Sequence, residues 1–406
     1  MNDIRSQFPA LNADVAYLDN ASTTQICSAS IEAMAAYLRS GRSNIGRGLY
    51  PLAEVSMVAY ENSRKTVAEF IEADLRTTIF TKSVTEGLNA IAFGVQSILN
   101  PGDEILVSPF EHHANLLPWR RIARERGAIL RTMPMSSDFM LDIEGTISMM
   151  NHRTKIIATT LVSNVLGTVV PVKALVDAAQ RTLPLNKGES EGVDKLSFPF
   201  VIVDAAQAAP HIPISMKELG ADAIVFGSHK CYGPSGIAAM ALSNRLASIM
   251  EPMIVGGGMV DSISIDRETW REIPARFEGG SPNVEGAIGF AEAVKMCGGT
   301  ESEGVASLRQ SLVTSLRTIP GVTVFDPADA IAIVSFIVEG VHPHDVADLL
   351  GQRGICVRAG NHCAQPLIER IALEGGTIRV SLAAYSTEEE IQKFLSALLE
   401  VLELLK

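Results

Sequence analysis

The sequence predicts an α/β fold built on a mainly parallel sheet, accompanied by a smaller α+β unit. Three observations predict it. Short, wholly apolar runs recur through the middle of the chain, and amphipathic stretches with apolar spacings near three and four lie between them. Polar residues gather just past the ends of the apolar runs, where open α/β sheets bind their ligands.

The runs at 104–108 (EILVS), 155–162 (KIIATTLV), 200–204 (FVIVD) and 223–227 (AIVFG) predict buried strands. Helices are expected at 87–99 and 172–181, and 183–198 (LPLNKGESEGVDKLSF) is expected to be a polar surface insertion. After about residue 290 the pattern changes. Helical stretches at 301–318 and 387–405 flank short strands at 332–338, 355–358 and 377–381. The expected division is a large domain over 15–290 and a small one formed by 1–14 with 291–406.

Bulk properties exclude several functions. Nearly half of the 406 residues are apolar, so a large core is expected, and a net charge of −12 argues against general nucleic-acid binding. The five cysteines are scattered and form no C-x-x-C, which disfavours a disulfide framework or zinc and suits a reducing compartment. No apolar run reaches membrane-spanning length, and the first twenty residues lack a signal-peptide core, so a soluble cytoplasmic protein is expected.

Asp204 ends one apolar run, Gln207 follows it, and the next run leads into Ser228, His229 and Lys230. Each residue alone has an ordinary explanation, since such an Asp commonly caps a helix and a lone Lys is commonly solvated. Together they match what pyridoxal phosphate (PLP) chemistry needs: a Schiff-base lysine and an acid for the pyridine nitrogen. Ser83 and Glu86 form a capping-box pattern; the helix start and Thr85 could equally seat a phosphate. The pair His112–His113 lacks the cysteines or carboxylates of a metal site, so no metal is expected; one imidazole stacked on a flat cofactor fits better. Cys363 lies in a Gly-containing loop beside Arg358 and His362, a setting that favours thiolate over an inert buried thiol.

These segments resemble the class V aminotransferase-like PLP enzymes, in particular the group of SUF-type cysteine desulfurases and selenocysteine lyases. The resemblance runs through 17–23 (YLDNAST), Arg47-Gly48, 85–89 (TEGLN), 111–115 (EHHAN), 163–167 (SNVLG), 203–208 (VDAAQA), 228–236 (SHKCYGPSG), 256–258 (GGG), 276–283 (RFEGGSPN) and 358–366 (RAGNHCAQP). It implies PLP fold type I, with a seven-stranded sheet in the large domain. Lys230 would carry PLP and shuttle the proton, Asp204 would pair with the ring nitrogen, and Gln207 would bond the ring hydroxyl. His112 would stack on the ring. Thr85 and His229 would hold the phosphate, helped by Ser281 from a second subunit of a homodimer. Asn164 would lie near the ring hydroxyl or the substrate carboxylate, and Arg379 would clamp that carboxylate. The family's phosphate-binding serine stands three residues before the lysine; here Gly227-Ser228 displaces the hydroxyl by one position, which leaves the part of Ser228 open.

The implied reaction converts L-cysteine to L-alanine, leaving a persulfide on Cys363 for a sulfur-acceptor protein of the SufE type in iron–sulfur cluster assembly. Selenocysteine lyase or cysteine-sulfinate lyase activity fits the same residues. The alternative is a class V aminotransferase acting on another amino acid, against which Cys363 counts because transamination needs no thiol there. A sulfur-assembly partner that only binds is disfavoured by the complete set Lys230, Asp204, Gln207 and Cys363. A nicotinamide dehydrogenase is disfavoured because no G-x-G-x-x-G opens a strand–helix unit.

Overall fold

A computed structural model describes residues 4–11, 14–45, 48–182, 199–297, 303–371 and 375–405. The insertion expected at 183–198 and the motif residue Arg47 lie outside the described residues. Apolar residues cover both faces of the central runs, which therefore form interior strands. Seven strands make the larger sheet: β1 (Thr78–Thr81), β2 (Glu104–Val107), β3 (Ile129–Thr132), β4 (Thr154–Thr160), β5 (Phe200–Asp204), β6 (Ala223–Gly227) and β7 (Ala238–Leu242). Their spatial order is β1-β7-β6-β5-β4-β2-β3, and of the seven only β7 runs against the rest. A mainly parallel sheet of this kind must be covered on both faces. Two clusters of buried side chains do so, one around Phe110, Phe226 and Phe290, the other around Ile105, Trp119 and Ile202.

Helices α1 (Ser28–Gly41), α2 (Pro51–Phe70), α3 (Val84–Gly94), α4 (His113–Arg126), α5 (Val172–Thr182) and α6 (Val284–Val294) accompany this sheet. The helix expected at 87–99 starts three residues earlier, where Ser83 Oγ accepts from the Glu86 N–H, and gives way to a 3₁₀ turn after Gly94. Strand β7 is the element that local pattern hides. Its sequence, AAMAL, has weak strand preference, but β1 and β6 pair with it from both sides and bury all five residues.

The second unit is a four-stranded antiparallel sheet of β8 (Val322–Phe325), β9 (Ile333–Val338), β10 (Arg358–Gly360) and β11 (Thr377–Ser381), ordered β8-β9-β11-β10. Helices α7 (Glu303–Arg317) and α9 (Glu388–Leu405) flank it; α8 (Gln365–Ile371) leaves the loop after β10. The strand expected at 355–358 is two strands. Ile355–Cys356 pairs in parallel with Ala16–Tyr17 near the chain's start, and β10 pairs with β11. Asp19 then bridges to Ser381, which ties the N-terminal segment to the end of β11 in the second unit. Among the described residues no helix is long and apolar enough to cross a membrane.

Phe226 of β6 is fully buried and packs against Phe70 of α2 and Phe290 of α6, with ring centroids 5.7 and 5.4 Å away. Phe226→Ala should destabilise the protein by about 3–5 kcal/mol, measured as a fall in the urea midpoint. A change within about 0.5 kcal/mol, the range of surface substitutions, would contradict this packing.

Candidate active site

Strands β5 and β6 are parallel neighbours, so their carboxyl ends deliver Asp204 and Lys230 to the same edge of the sheet. Asp204 is buried and accepts from the Ala206 N–H at 2.9 Å. Burial raises its pKa, while that N–H and the Lys230 charge hold it down. Burial pushes Lys230 down to about 8; Asp204 opposes this, and the Arg379 and Arg358 charges add to it. These two groups, with Thr85, His112, Asn164, Gln207, His229 and Arg379, line one cavity of about 190 Å³. Eight of the predicted site residues therefore converge.

His112 is the N-cap of α4. Its Nδ1 accepts from the Ala114 N–H at 3.0 Å, which leaves the ring proton on Nε2. Burial, reinforced by the Lys230 charge, lowers His112 to about 3, so the ring is neutral. Beneath it, Glu111 is a buried carboxyl that the sequence reading passed over. It accepts from Ser108 Oγ, from the Thr160 N–H at 2.6 Å and from Asn115 Nδ2 at 2.7 Å. Burial raises it to about 8; the Ser108 and Asn115 bonds lower it, and the Asp204 charge raises it further. Glu111 thus joins the ends of β2 and β4 to α4.

At the opposite wall, His229 Nδ1 lies 3.3 Å from Thr23 Oγ1, and its carbonyl accepts from the Thr24 N–H at 2.9 Å. Burial, with help from the Lys230 charge, lowers His229 to about 4. Thr85 stands in the first turn of α3, where free N–H groups and the dipole favour an anion. Ser228 does not line the cavity. A Cβ on Gly233 would come within 2.2 Å of its Oγ, so the displaced hydroxyl packs toward Gly233 and has no hydrogen-bond partner among the described residues. Ser281 is also absent from the cavity; it lines a separate cleft of about 870 Å³ with Arg64 and Trp270.

Arg379, 1% exposed, is held from three directions. Nη1 donates to the Asn164 carbonyl, and Nη2 to Asp19 Oδ1 and Ser22 Oγ, each at 2.9 Å. Ser22 Oγ also accepts from Arg358 Nη1 at 3.1 Å, and Arg358 Nη2 reaches Cys363 Sγ at 3.7 Å. One serine therefore links the buried guanidinium of Arg379 to the one beside the thiol. Asp19 and Ser22 had stood only inside a family motif; no spacing marked them. Gln207 Nε2 donates to the Ala21 carbonyl at 2.7 Å.

Two buried polar atoms test the fit of a cofactor and its substrate. Asn164 Oδ1, an acceptor, and Arg379 Nε, a donor, have no partner among the described residues, although both side chains line the cavity. Buried groups of this kind are nearly always paired, so the site is built for a polar molecule. PLP and an amino acid fit it, with Lys230, Asp204 and neutral His112 where such chemistry needs them.

Comparison with known proteins agrees. The Aminotransferase class-V family model matches residues 16–394. A probable cysteine desulfurase of Halalkalibacterium halodurans is 37% identical over 401 residues, covering 96% of this chain and 95% of its own. The apo structure of a cysteine desulfurase from Thermococcus onnurineus superposes with a TM-score of 0.91 at 33% identity, covering 99% and 98%. The Escherichia coli cysteine desulfurase CsdA, as its S-sulfonic acid, gives 0.88 at 33%, covering 98% of each.

An amine must be neutral to attack an aldehyde. With Lys230 near 8, the rate at which cofactor-free protein takes up PLP should climb with pH and level off above about 8, followed by stopped-flow absorbance. A rate still rising at about pH 10, as for an ordinary lysine, would contradict the burial argument.

Proposed function

We propose that this chain, which belongs to the class V aminotransferase family and is a PLP-dependent cysteine desulfurase, carries its cofactor on Lys230 and its sulfur on Cys363. The observation that carries the proposal is the linked pair of guanidiniums. Arg379 faces a cavity shared with Lys230 and Asp204, and Arg358, bonded through the same Ser22, donates to Cys363 Sγ. The comparisons favour this over the aminotransferase alternative.

Bound PLP supplies an electron sink for negative charge at the substrate Cα. The rest is the work of side chains. Asp204 would hold a proton at the ring nitrogen, and neutral His112 would face the ring. Gln207 and Asn164 would serve its polar edge, and Thr85 with His229 would hold the phosphate. Arg379 would bind the substrate carboxylate through its free Nε–H, a charge-assisted hydrogen bond. Uncharged, Lys230 Nζ would take the Cα proton and give it back to Cα before the product leaves. Cys363 Sγ then attacks the substrate sulfur. The Cβ–S bond breaks, its electron pair stays with the carbon and takes up a proton, and alanine leaves with the sulfur retained as a Cys363 persulfide. Splitting the transfer lets that sulfur wait for an acceptor protein of the SufE type.

The working unit is a homodimer in which Ser281 of one copy reaches the phosphate of the other. Supporting this, Leu52, Val55 and Val58 of α2, with Ile254, Val255, Ile263 and Ile265, are large apolar side chains left exposed. Five free thiols suit the cytoplasm.

Cys363→Ala should nearly stop alanine formation from cysteine while keeping the cofactor spectrum. It should retain substantial activity with selenocysteine, whose carbon–selenium bond breaks with less help. In wild-type protein briefly exposed to cysteine, mass spectrometry should place the added sulfur on the peptide containing Cys363; finding it on Cys231 or Cys356 would sink the assignment. Sedimentation under assay conditions should show a dimer, and a fully active monomer would remove the role given to Ser281.

A further inference from the structure

The loop that carries Cys363 is held in an unfavourable conformation. His362 and Cys363 have φ of 48° and 57°, two successive non-glycine residues in the left-handed region. Such strain persists only where surrounding contacts over-determine it. The contacts are distributed residue by residue. The His362 carbonyl accepts from Asn164 Nδ2 at 2.7 Å, and the His362 ring bonds Thr377 Oγ1 at 2.9 Å through Nε2. The Cys363 carbonyl accepts from the His113 N–H at 2.7 Å. The Gln365 N–H, at the first residue of α8 and outside any helical ladder, donates to His113 Nε2 at 3.3 Å.

His113 therefore grips the loop at two successive points, through its backbone at the nucleophile's own carbonyl and through its imidazole two residues further on. The backbone contact survives replacement of the side chain by leucine or glutamine; the imidazole contact needs an acceptor there. The neighbouring residue in α4, His112, lines the cofactor cavity. We propose that His113 is a positioning residue for sulfur transfer, capping α8 from α4 so that Cys363 Sγ keeps a fixed place relative to the cavity. The imidazole must be neutral to accept, and burial keeps its pKa below the usual histidine value, aided by the charge of Arg120. The inference rests on the reading of Cys363 as the sulfur acceptor.

The test compares wild type, His113→Leu, which has no acceptor, and His113→Gln, whose amide oxygen can replace Nε2. The cofactor-loaded proteins are mixed with L-cysteine; the absorbance change reports substrate binding and quenched-flow alanine reports sulfur transfer. His113→Leu should slow alanine formation about tenfold or more, with binding changed less than about twofold, because misplacing a reacting group costs rate rather than affinity. His113→Gln should recover most of the rate. In cofactor-free protein, the rate at which iodoacetamide alkylates Cys363 should change at least about threefold in the leucine variant and stay near wild type in the glutamine variant. Equal losses in both variants, binding and transfer falling together, or unchanged alkylation in the leucine variant would overturn the proposal. Sulfur mapped to another cysteine in wild type would instead defeat the reading of Cys363, and the alkylation comparison would still decide whether His113 sets the loop.

Discussion

The constraint on which the site depends is the burial of an amine and a carboxyl at the ends of two adjacent parallel strands. In water both would be charged and hydrated. Here Lys230 is driven toward neutrality, and holding it charged near pH 7 costs about 3 kcal/mol relative to an exposed lysine. The sheet makes this possible because β5 and β6 are covered on both faces, leaving their ends as the place where polar groups meet. Nothing else in the cavity needs to be unusual. The neutrality of His112 and His229 follows from the same burial and from the Lys230 charge beside them.

Polar support surrounds this pair at one remove. Glu111 takes donors from β2, β4 and α4, and Arg379 takes acceptors from Asp19, Ser22 and Asn164. Neither cluster lies on a single element. Each ties together segments that the hydrophobic core alone would leave free to shift by a fraction of an ångström, which is the scale at which proton and sulfur transfer lose rate.

Strands whose two faces are both buried carry their signal in the chain itself, and β5 and β6 were legible to the residue; so were Asp204 and Lys230 at their ends. Strand β7 was not, because its alanines gain their strand conformation from neighbours on either side. The split of 355–360 into two strands was hidden for a related reason: the partner of its first half is Ala16–Tyr17, more than three hundred residues away. Among the site residues, sequence order named groups that line the cavity but not those that hold them. Asp19, Ser22 and Glu111 act on other side chains, and no spacing announces that. The direction of the Ser228 hydroxyl was likewise invisible, since it depends on the close approach of Gly233.

The pairing of the chain's beginning with its end has a consequence for synthesis. Ala21 and Ser22 form one wall of the cavity, yet the Ala21 N–H is fixed by Ser381 Oγ at 2.9 Å and Ser22 by Arg379. The Gln25 N–H is bonded by Tyr385 in the same way, at 2.9 Å. While the ribosome is still adding residues beyond the seven-stranded sheet, that wall has its bonds to Gln207 and His229 but lacks those to Arg379, Ser381 and Tyr385. The larger sheet has every one of its strands by residue 242, but the pocket is completed only when the last sixth of the polypeptide has emerged. A nascent chain can thus have the whole of its larger sheet and still lack the side of the pocket that Arg358, His362 and Arg379 supply.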